Sequence, residues 1–471
     1  MKIKTISRST DAYLADRASE SSRQPRNLDS ALHPFERARE YTKALNATKL
    51  ERMFARPFVG QLGRGHIDAV YTLTLNPRML NAAASGSADG VIKYWDLTSQ
   101  EETYSVQAHE NIVRGLTVTP EGRLLSCASD KTVKLWDMKN KNPDPKQVYL
   151  GDRGFNCIDH QRGPDTSKFA TGCGKVQLWD TTRSKPLSSL SWGADTITSL
   201  KFSPSEHAVF ASTGSDRALT LYDIRTNSPI NKLVTSMNNN AISWNPQVPF
   251  MFCAANEDHN VYLYDMRNLS ACTSFLQDHV AAVMDVDYSP TGREIVTASY
   301  DKTIRIFNVR ERFSRDIYHT KRMQRVFSAK FTLDNKYILS GSDDGNVRLW
   351  RAKASEKAGV KTSRELKSRE YTDALKERYR HMPEVRSIAR HRHVPAAIKN
   401  AREIKGIEKN ALKRRQDNER KHNKNLPDVH LKQQHIVGVA IKDDKKIEEW
   451  KRIQEEKKAH KESVEGGWKT V

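Results

Sequence analysis

Seven times along this chain an aromatic residue closes a β-rich run. The seven are Trp95-Asp96, Trp136-Asp137, Trp179-Asp180, Tyr222-Asp223, Tyr264-Asp265, Phe307-Asn308 and Trp350 followed by Arg351. Successive intervals are 41, 43, 43, 42, 43 and 43 residues. Such even spacing over more than half the sequence means one structural unit copied, and a period of about 40–45 residues is that of a four-stranded propeller blade. A blade cannot bury both faces alone, so seven of them must stack into a ring. A disc of that kind is first a docking surface.

Each repeat carries the internal marks of a WD-type blade. Val91-Ile92-Lys93-Tyr94-Trp95 alternates at period two, as a strand packed between neighbours should. Six positions before the closing aromatic stands an acid in six repeats: Asp89, Asp130, Asp216, Asp258, Asp301 and Asp344. An Asp in a short turn bonds backbone amides and tolerates turn geometry. The third repeat has Cys173 there and loses the acid. A histidine precedes three repeats, at His66, His109 and His279, whereas Asp195 and Asn238 take that place in repeats four and five. By similarity to WD repeats, His66/Asp89/Trp95 and His109/Asp130/Trp136 are expected to form buried networks that tie blade strands together. Recurrence around the ring argues against a catalytic role for these His–Asp pairs.

After Trp350 the sequence turns Lys-rich and supplies no further strand. Met53-Phe54-Ala55-Arg56-Pro57-Phe58-Val59 is short and apolar enough to be an outer strand. It is predicted to complete the last blade and so remove an open edge.

Charge is unevenly placed. The whole chain is +21, but residues 61–350 hold 33 basic and 31 acidic side chains, residues 1–60 hold 12 and 7, and residues 351–471 hold 33 and 19. A near-neutral disc with a basic tail points to protein contacts for the disc and polyanion contacts for the tail; a merely solvated tail is the plain alternative. The five dispersed cysteines form no C-x-x-C pair, and four lie near predicted strands as small apolar residues, so neither a zinc site nor a disulfide framework is expected. No apolar core follows Met1, and no stretch approaches the roughly 18 apolar residues of a membrane span, so an intracellular, soluble protein without membrane partners is expected. Gly60-x-x-Gly63-x-Gly65 fails the dinucleotide-loop spacing, and neither G-x-S-x-G nor H-E-x-x-H occurs. Catalysis, a cofactor and a resident metal are not expected.

The division expected is an N-terminal arm at 1–50, the propeller at 51–351 and a basic helical extension at 352–471. Residues 31–50 read as a helix, with Phe35, Ala38, Tyr41/Thr42 and Leu45 at helical spacing, and residues 7–30 as an extended polar arm. Thr362-Ser363-Arg364-Glu365 is a capping box that opens a helix to about His381, stopped by Pro383, with Tyr371, Leu375 and Tyr379 on one face. A second helix carries Ile398, Ala401, Ile404 and Ala411/Leu412 as its stripe, and a third is predicted near 443–461 around Ile447, Trp450 and Ile453. Candidate RNA- and partner-binding residues are the dense cationic groups Arg386, Arg390, His391, Arg392, His393, Lys405, Lys409, Lys413, Arg414 and Arg415. Lys413-Arg414-Arg415 also fits a nuclear import signal.

Three stretches are distinctive: Asn27-Leu28-Asp29-Ser30-Ala31-Leu32-His33-Pro34-Phe35-Glu36 with Ala44 to Arg52, Tyr318-His319-Thr320-Lys321-Arg322-Met323-Gln324, and Ile388-Ala389-Arg390-His391-Arg392-His393-Val394-Pro395. Together they resemble the Sof-type WD-repeat proteins over about residues 1–440. The resemblance implies an all-β seven-bladed WD-repeat β-propeller with an α-helical basic C-terminal extension and a partly extended N-terminal arm. It also implies a non-catalytic assembly factor of the nucleolar small-subunit processome, with processome proteins, pre-ribosomal RNA and small nucleolar RNA as partners. A second reading stays open. Tyr222-Asp223-Ile224-Arg225 and Tyr264-Asp265-Met266-Arg267 show the aromatic-Asp-x-Arg pattern of propellers that serve as cullin-RING ubiquitin-ligase receptors, with Phe307-Asn308-Val309-Arg310 a degraded copy. In that case Arg225 and Arg267 would meet the ligase adaptor; otherwise they simply pair with blade acids.

Overall fold

The computed structural model describes residues 35–138, 143–163, 167–191, 196–226, 228–356, 359–422 and 438–441. The expected polar arm at 7–30, Asp195 and the helix expected near 443–461 lie outside them. Compactness divides the chain into two units, Met1–Pro57 with Lys353–His393, and Phe58–Ala352 with Val394–Val471.

The larger unit is the propeller. Its first strand, β1 (Phe58–Gln61), is separate from the seven repeats that follow. Blade 1 is β2 (Val70–Leu75), β3 (Ala82–Ser87), β4 (Val91–Asp96) and β5 (Glu101–Gln107); blade 2 is β6 (Val113–Val118), β7 (Arg123–Ala128), β8 (Thr132–Asp137) and β9 (Gln147–Leu150). Blade 3 is β10 (Cys157–His160), β11 (Lys168–Gly172), β12 (Val176–Asp180) and β13 (Ser188–Leu190); blade 4 is β14 (Ile197–Phe202), β15 (Val209–Gly214), β16 (Ala218–Asp223) and β17 (Ser228–Thr235). Blade 5 is β18 (Asn239–Trp244), β19 (Met251–Asn256), β20 (Asn260–Asp265) and β21 (Ser274–Gln277); blade 6 is β22 (Val283–Tyr288), β23 (Glu294–Ser299), β24 (Ile304–Asn308) and β25 (Ser314–Tyr318). Blade 7 has only β26 (Val326–Phe331), β27 (Tyr337–Ser342) and β28 (Val347–Arg351) from its own repeat.

The first strand of every blade packs on the first strand of the next, from β2 through β6, β10, β14, β18, β22 and β26 back to β2, so the ring closes. The missing strand of blade 7 is β1, antiparallel to β28 with Phe58 opposite Trp350. The closing strand is therefore where the sequence indicated but starts later. Met53 ends a helix rather than opening a strand, and Pro57, which has no N–H, holds the ladder off until Phe58. The recurrent aromatics fill the seams between blades. Trp95 lies with Leu62, Val70, Leu339, Val347 and Leu349, joining blades 1 and 7, and Trp136 packs with Ile92, Val106 and Val113. Burying a ring of that size contributes roughly 4–6 kcal/mol gross, before entropy is charged against it.

The six turn acids behave alike. The Oδ1 of Asp89, Asp130, Asp216, Asp258, Asp301 and Asp344 accepts from the amide two residues on. The residue after each acid is left-handed: Gly90, Lys131, Arg217, His259, Lys302 and Gly345. Four of these carry side chains in a region that disfavours them, and the carboxylate bond offsets that cost.

The smaller unit packs three helices, α1 (Glu36–Met53), α2 (Ser363–Arg378) and α3 (Pro383–Arg390). The Thr362/Glu365 capping box opens α2. Pro383 does not merely stop a helix; it opens α3, where its missing N–H costs nothing. In α1 the buried residues are Glu40, Ala44 and Thr48, not the stripe Phe35, Ala38 and Leu45. Polar contacts decide which face turns in. Glu40 accepts from Arg378 at 2.9 Å and from the Tyr379 hydroxyl at 3.0 Å, and the small Ala44 allows close approach. Of the α2 face, Leu375 is buried and Tyr379 sits edge-on to Tyr41.

In the propeller unit the long helix α4 (Ala396–His422) buries Ile398 but leaves Ile404 and Leu412 exposed. Its apolar stripe is thus used only at its start. Strand β29 (Gly438–Ile441) pairs antiparallel with β17 and makes blade 4 five-stranded. No strand was expected from the sequence there, although Ile436-Val437-Gly438-Val439-Ala440-Ile441 is an apolar, β-favouring run.

Candidate functional site

The blade networks centre on a hydroxyl that the sequence reading did not name. In blade 2, His109 Nδ1 pairs with Asp130 Oδ2 at 2.8 Å and His109 Nε2 with Ser126 Oγ at 2.7 Å, while Trp136 Nε1–H donates to the same Ser126 Oγ at 2.9 Å. All four side chains of that chain are joined. Blade 1 is incomplete: His66 Nε2 and Trp95 Nε1 meet at Ser85 Oγ, at 2.6 and 2.7 Å, but Asp89 bonds its own turn rather than His66. The expected His66/Asp89/Trp95 set is therefore corrected to His66/Ser85/Trp95. Blade 6 carries the fuller second copy, with His279 between Asp301 at 2.8 Å and Thr297 at 2.6 Å and Phe307 as its aromatic. Burial drives His66 down to about 4, and burial likewise lowers His109 and His279 against the pull of Asp130 and Asp301. These histidines are neutral structural members. Cys127, Cys157, Cys173 and Cys253 are buried, and burial pushes the Cys127, Cys157 and Cys253 thiols up; Cys272 is half-buried.

The ten cationic tail residues divide between the units. Arg386 and Arg390 are exposed on α3, followed by exposed His391 and His393 and a half-buried Arg392 whose guanidinium donates to the Ala389 and His391 carbonyls. On α4, Lys409, Lys413, Arg414 and Arg415 are exposed, with Arg415 paired to Glu419 at 3.0 Å. Lys405 differs from them. Its Nζ donates to the His279 carbonyl at 3.1 Å, and burial, then the nearby Lys409, lowers it to about 8.

That contact belongs to a buried charge cluster at blade 6. Arg305, nearly fully buried, lies 2.9 Å from Asp278 and 3.8 Å from Asp301, and Asp278 also takes Arg402 of α4 at 3.1 Å. Burial raises the Asp278 carboxyl, but Arg305, Ser314 and Arg402 outweigh that and hold it low. Arg402 and Lys405, one turn apart, therefore anchor α4 on the disc, while Lys409, Lys413, Arg414 and Arg415 present cations to solvent. Spacing alone could not separate the anchor from the exposed row.

Arg225 grips Asp223 through Nε and Nη2, with Nη2 at 2.9 Å, and Arg267 grips Asp265 in the same way at 2.7 Å. The hydrogen bond from each Arg holds the partner carboxyl low. Even so, both arginine side chains remain mostly exposed, at 73% and 63%. The Arg267 guanidinium also covers the Phe250 ring at 4.2 Å. Pairing with a blade acid and exposure to solvent thus coexist in the same side chain.

Known proteins match this architecture in both parts. WD domain G-beta repeats match residues 58–96, 100–137, 270–308 and 317–351, and a Sof1-like domain matches residues 352–436. The class is a WD-repeat β-propeller protein with a Sof1-like extension. Protein SOF1 of Saccharomyces cerevisiae is 54% identical over 485 residues, covering 97% of this chain and 99% of that protein. DDB1- and CUL4-associated factor 13 of Dictyostelium discoideum is 49% identical over 89% of this chain and 95% of that protein, and the Xenopus laevis protein of the same name 44% over 93% and 100%. This chain belongs to the Sof1-like WD-repeat family.

Proposed function

We propose that this protein is a non-catalytic scaffold of small ribosomal subunit biogenesis, acting in pre-ribosomal RNA processing within the small-subunit processome of the nucleolus. The observation that carries the reading is similarity to Protein SOF1 along nearly the whole of both chains, arms included. The propeller would hold processome proteins. The exposed row Lys409, Lys413, Arg414 and Arg415 on α4 would follow phosphates of pre-ribosomal and small nucleolar RNA, with Arg386, Arg390, His391, Arg392 and His393 as a second basic segment. If about five phosphates are engaged, log affinity for single strands falls with log salt at a slope near −3.5.

In-cell UV crosslinking with RNA sequencing tests this on the full chain and on a variant with Lys409, Lys413, Arg414 and Arg415 changed to Gln. Pre-ribosomal reads that depend on the four cations support the reading; no enriched RNA in either protein, or binding indifferent to salt, overturns it.

A second reading has its own support. Relatives carry the name DDB1- and CUL4-associated factor 13, and Arg225 and Arg267 expose their guanidinium groups. On that reading the pair contacts the adaptor of a cullin-RING ligase. Arg225→Ala with Arg267→Ala then abolishes adaptor co-purification and leaves pre-ribosome association intact. Adaptor capture unchanged by the double substitution rejects it.

A further inference from the structure

The ladder between the first and second strands is interrupted at the same place in six of the seven blades. The register skips one residue near the start of the inner strand, at Tyr71, Arg114, Thr198, Asn240, Met284 and Phe327. A bulge re-aims the side chain of its extra residue. Because the inner strands form the ring, these residues stand around one mouth of the central channel.

The mouth is not uniform. On the side of blades 4 to 6 the bulged residues are small, neutral or thioether groups, and two of them bond backbone carbonyls of the next inner strand. Thr198 Oγ1 donates to the Asn239 carbonyl at 2.9 Å, and Asn240 Nδ2 donates to the Val283 carbonyl at 2.9 Å. On the side of blades 7, 1 and 2 they are Phe327, Tyr71 and Arg114. Tyr71 stacks on Phe327 with centroids 4.6 Å apart, and the Arg114 guanidinium lies over Tyr71 at 5.1 Å. Tyr300, in the turn between β23 and β24, stands edge-on to Phe327 at 5.8 Å, and Arg325 lies over Tyr300 at 5.4 Å. Three rings in a row are thus bracketed by two guanidinium groups.

Both arginines are exposed, and among the described residues no carboxylate pairs with either. Elsewhere on the disc Arg225, Arg267, Arg305, Arg315 and Arg348 all have acids. A guanidinium resting over an aromatic ring is partly ordered before binding and loses less freedom when its N–H fork takes an anion. Lys321 and Arg322 in the adjacent loop add to the positive field, and Lys302 ties the Tyr300 turn to that loop through Gln324 at 2.8 Å. In the loop that leads into β2, Ile67 is almost wholly exposed.

We propose that this arc binds an extended acidic peptide segment of a protein partner, with two carboxylates on Arg114 and Arg325 and an apolar side chain between them against the ring edges and Ile67. Tyrosine and arginine are among the residues most enriched in protein-binding hot spots. Single-stranded RNA is the less suited occupant, because bases stack on open ring faces. Tyr71 already carries Phe327 and the Arg114 guanidinium, and Tyr300 carries the Arg325 guanidinium. The assignment stands apart from the tail and from the ribosome-assembly reading, neither of which it needs.

The test uses the full chain and a fluorescein-labelled peptide, Asp-Glu-Phe-Asp-Leu-Glu-Asp, followed by anisotropy at 150 mM salt, about physiological strength. Arg114→Ala with Arg325→Ala is expected to weaken binding at least tenfold. Changing Lys413, Arg414 and Arg415 to Gln, which removes tail charge, is expected to change it less than twofold. Unchanged melting temperatures establish that each variant folds. A photo-crosslinking version of the peptide on the native protein supplies a readout free of mutation, with adducts expected in residues 64–71, 110–114 and 300–327. The proposal is overturned if the arginine pair has no effect, if the Asn/Gln analogue of the peptide binds equally well, or if adducts map to the tail. It is also overturned if a single-stranded RNA nonamer depends on Arg114 and Arg325 and the peptide does not.

Discussion

Ser126 offers the sharpest check on how the blades hold together. Its side chain is fully buried and serves two other side chains, accepting from Trp136 Nε1–H at 2.9 Å and pairing with His109 Nε2 at 2.7 Å. Ser340 occupies the same place in blade 7 and is equally buried, but among the described residues its side chain serves Trp350 alone, at 2.8 Å. Ser→Ala removes almost no volume, so the effect is that of polar groups left without partners. Each orphaned buried group costs about 1–3 kcal/mol. Ser126→Ala, with two orphans, should cost about 3 kcal/mol and Ser340→Ala about half that. For a domain of this size the shifts correspond to roughly 6 and 3 °C in melting temperature. Urea unfolding of the full chain, followed by tryptophan fluorescence and by calorimetry, measures both. Adding Trp136→Phe to Ser126→Ala should then cost less than adding it to the native chain, because the indole N–H no longer lacks an acceptor. Equal losses for the two serines, or a loss below about 0.5 kcal/mol for Ser126→Ala, would refute the account.

Two further outcomes are expected. Acid should loosen the disc already between about pH 6.5 and 4. His66 is lowered to about 4 in the folded protein, with His109 and His279 lowered as well, so the unfolded chain takes up protons first and stability falls as pH drops from about 6.5 toward 4. The His66 share is about 3 kcal/mol. Asp130 and Asp301 are held low, so what they contribute is lost only at still lower pH. Urea midpoints that match at pH 7 and pH 5 would contradict this. Separately, Arg402→Ala with Lys405→Ala should release α4 from blade 6, read as lost hydrogen-exchange protection over residues 396–405 with propeller strands unchanged; retained protection there would mean that Ile398 and its neighbours suffice.

Much of this protein is written in short-range spacing. The 41–43-residue period names the blades, the acid six positions before each aromatic names the turns, and Thr362 with Glu365 names the start of α2. These signals work because each feature is satisfied within one strand, one turn or one helical turn, so the residues that make it are neighbours in sequence.

What escaped the sequence depends on neighbours brought together by ring closure and helix packing. Ser85 and Ser126 look like any strand serines until a histidine from 17 to 19 residues upstream and a tryptophan 10 residues on converge on them. Asp89 and Asp130 share a position in the repeat, yet only Asp130 reaches its histidine. In α1 a plausible apolar stripe lost to Glu40, Ala44 and Thr48, because the facing helix offers Arg378 and Tyr379 rather than a greasy surface. Lys405 and Lys409 are alike in sequence; only the carbonyl of His279 and the charge cluster beneath it make one an anchor and leave the other in solvent. Periodicity, then, determined how many blades there are and where their turns fall. The closed ring alone decided which polar groups find partners, since a buried hydrogen bond depends on atoms within about 3 Å of each other, whatever their separation along the chain.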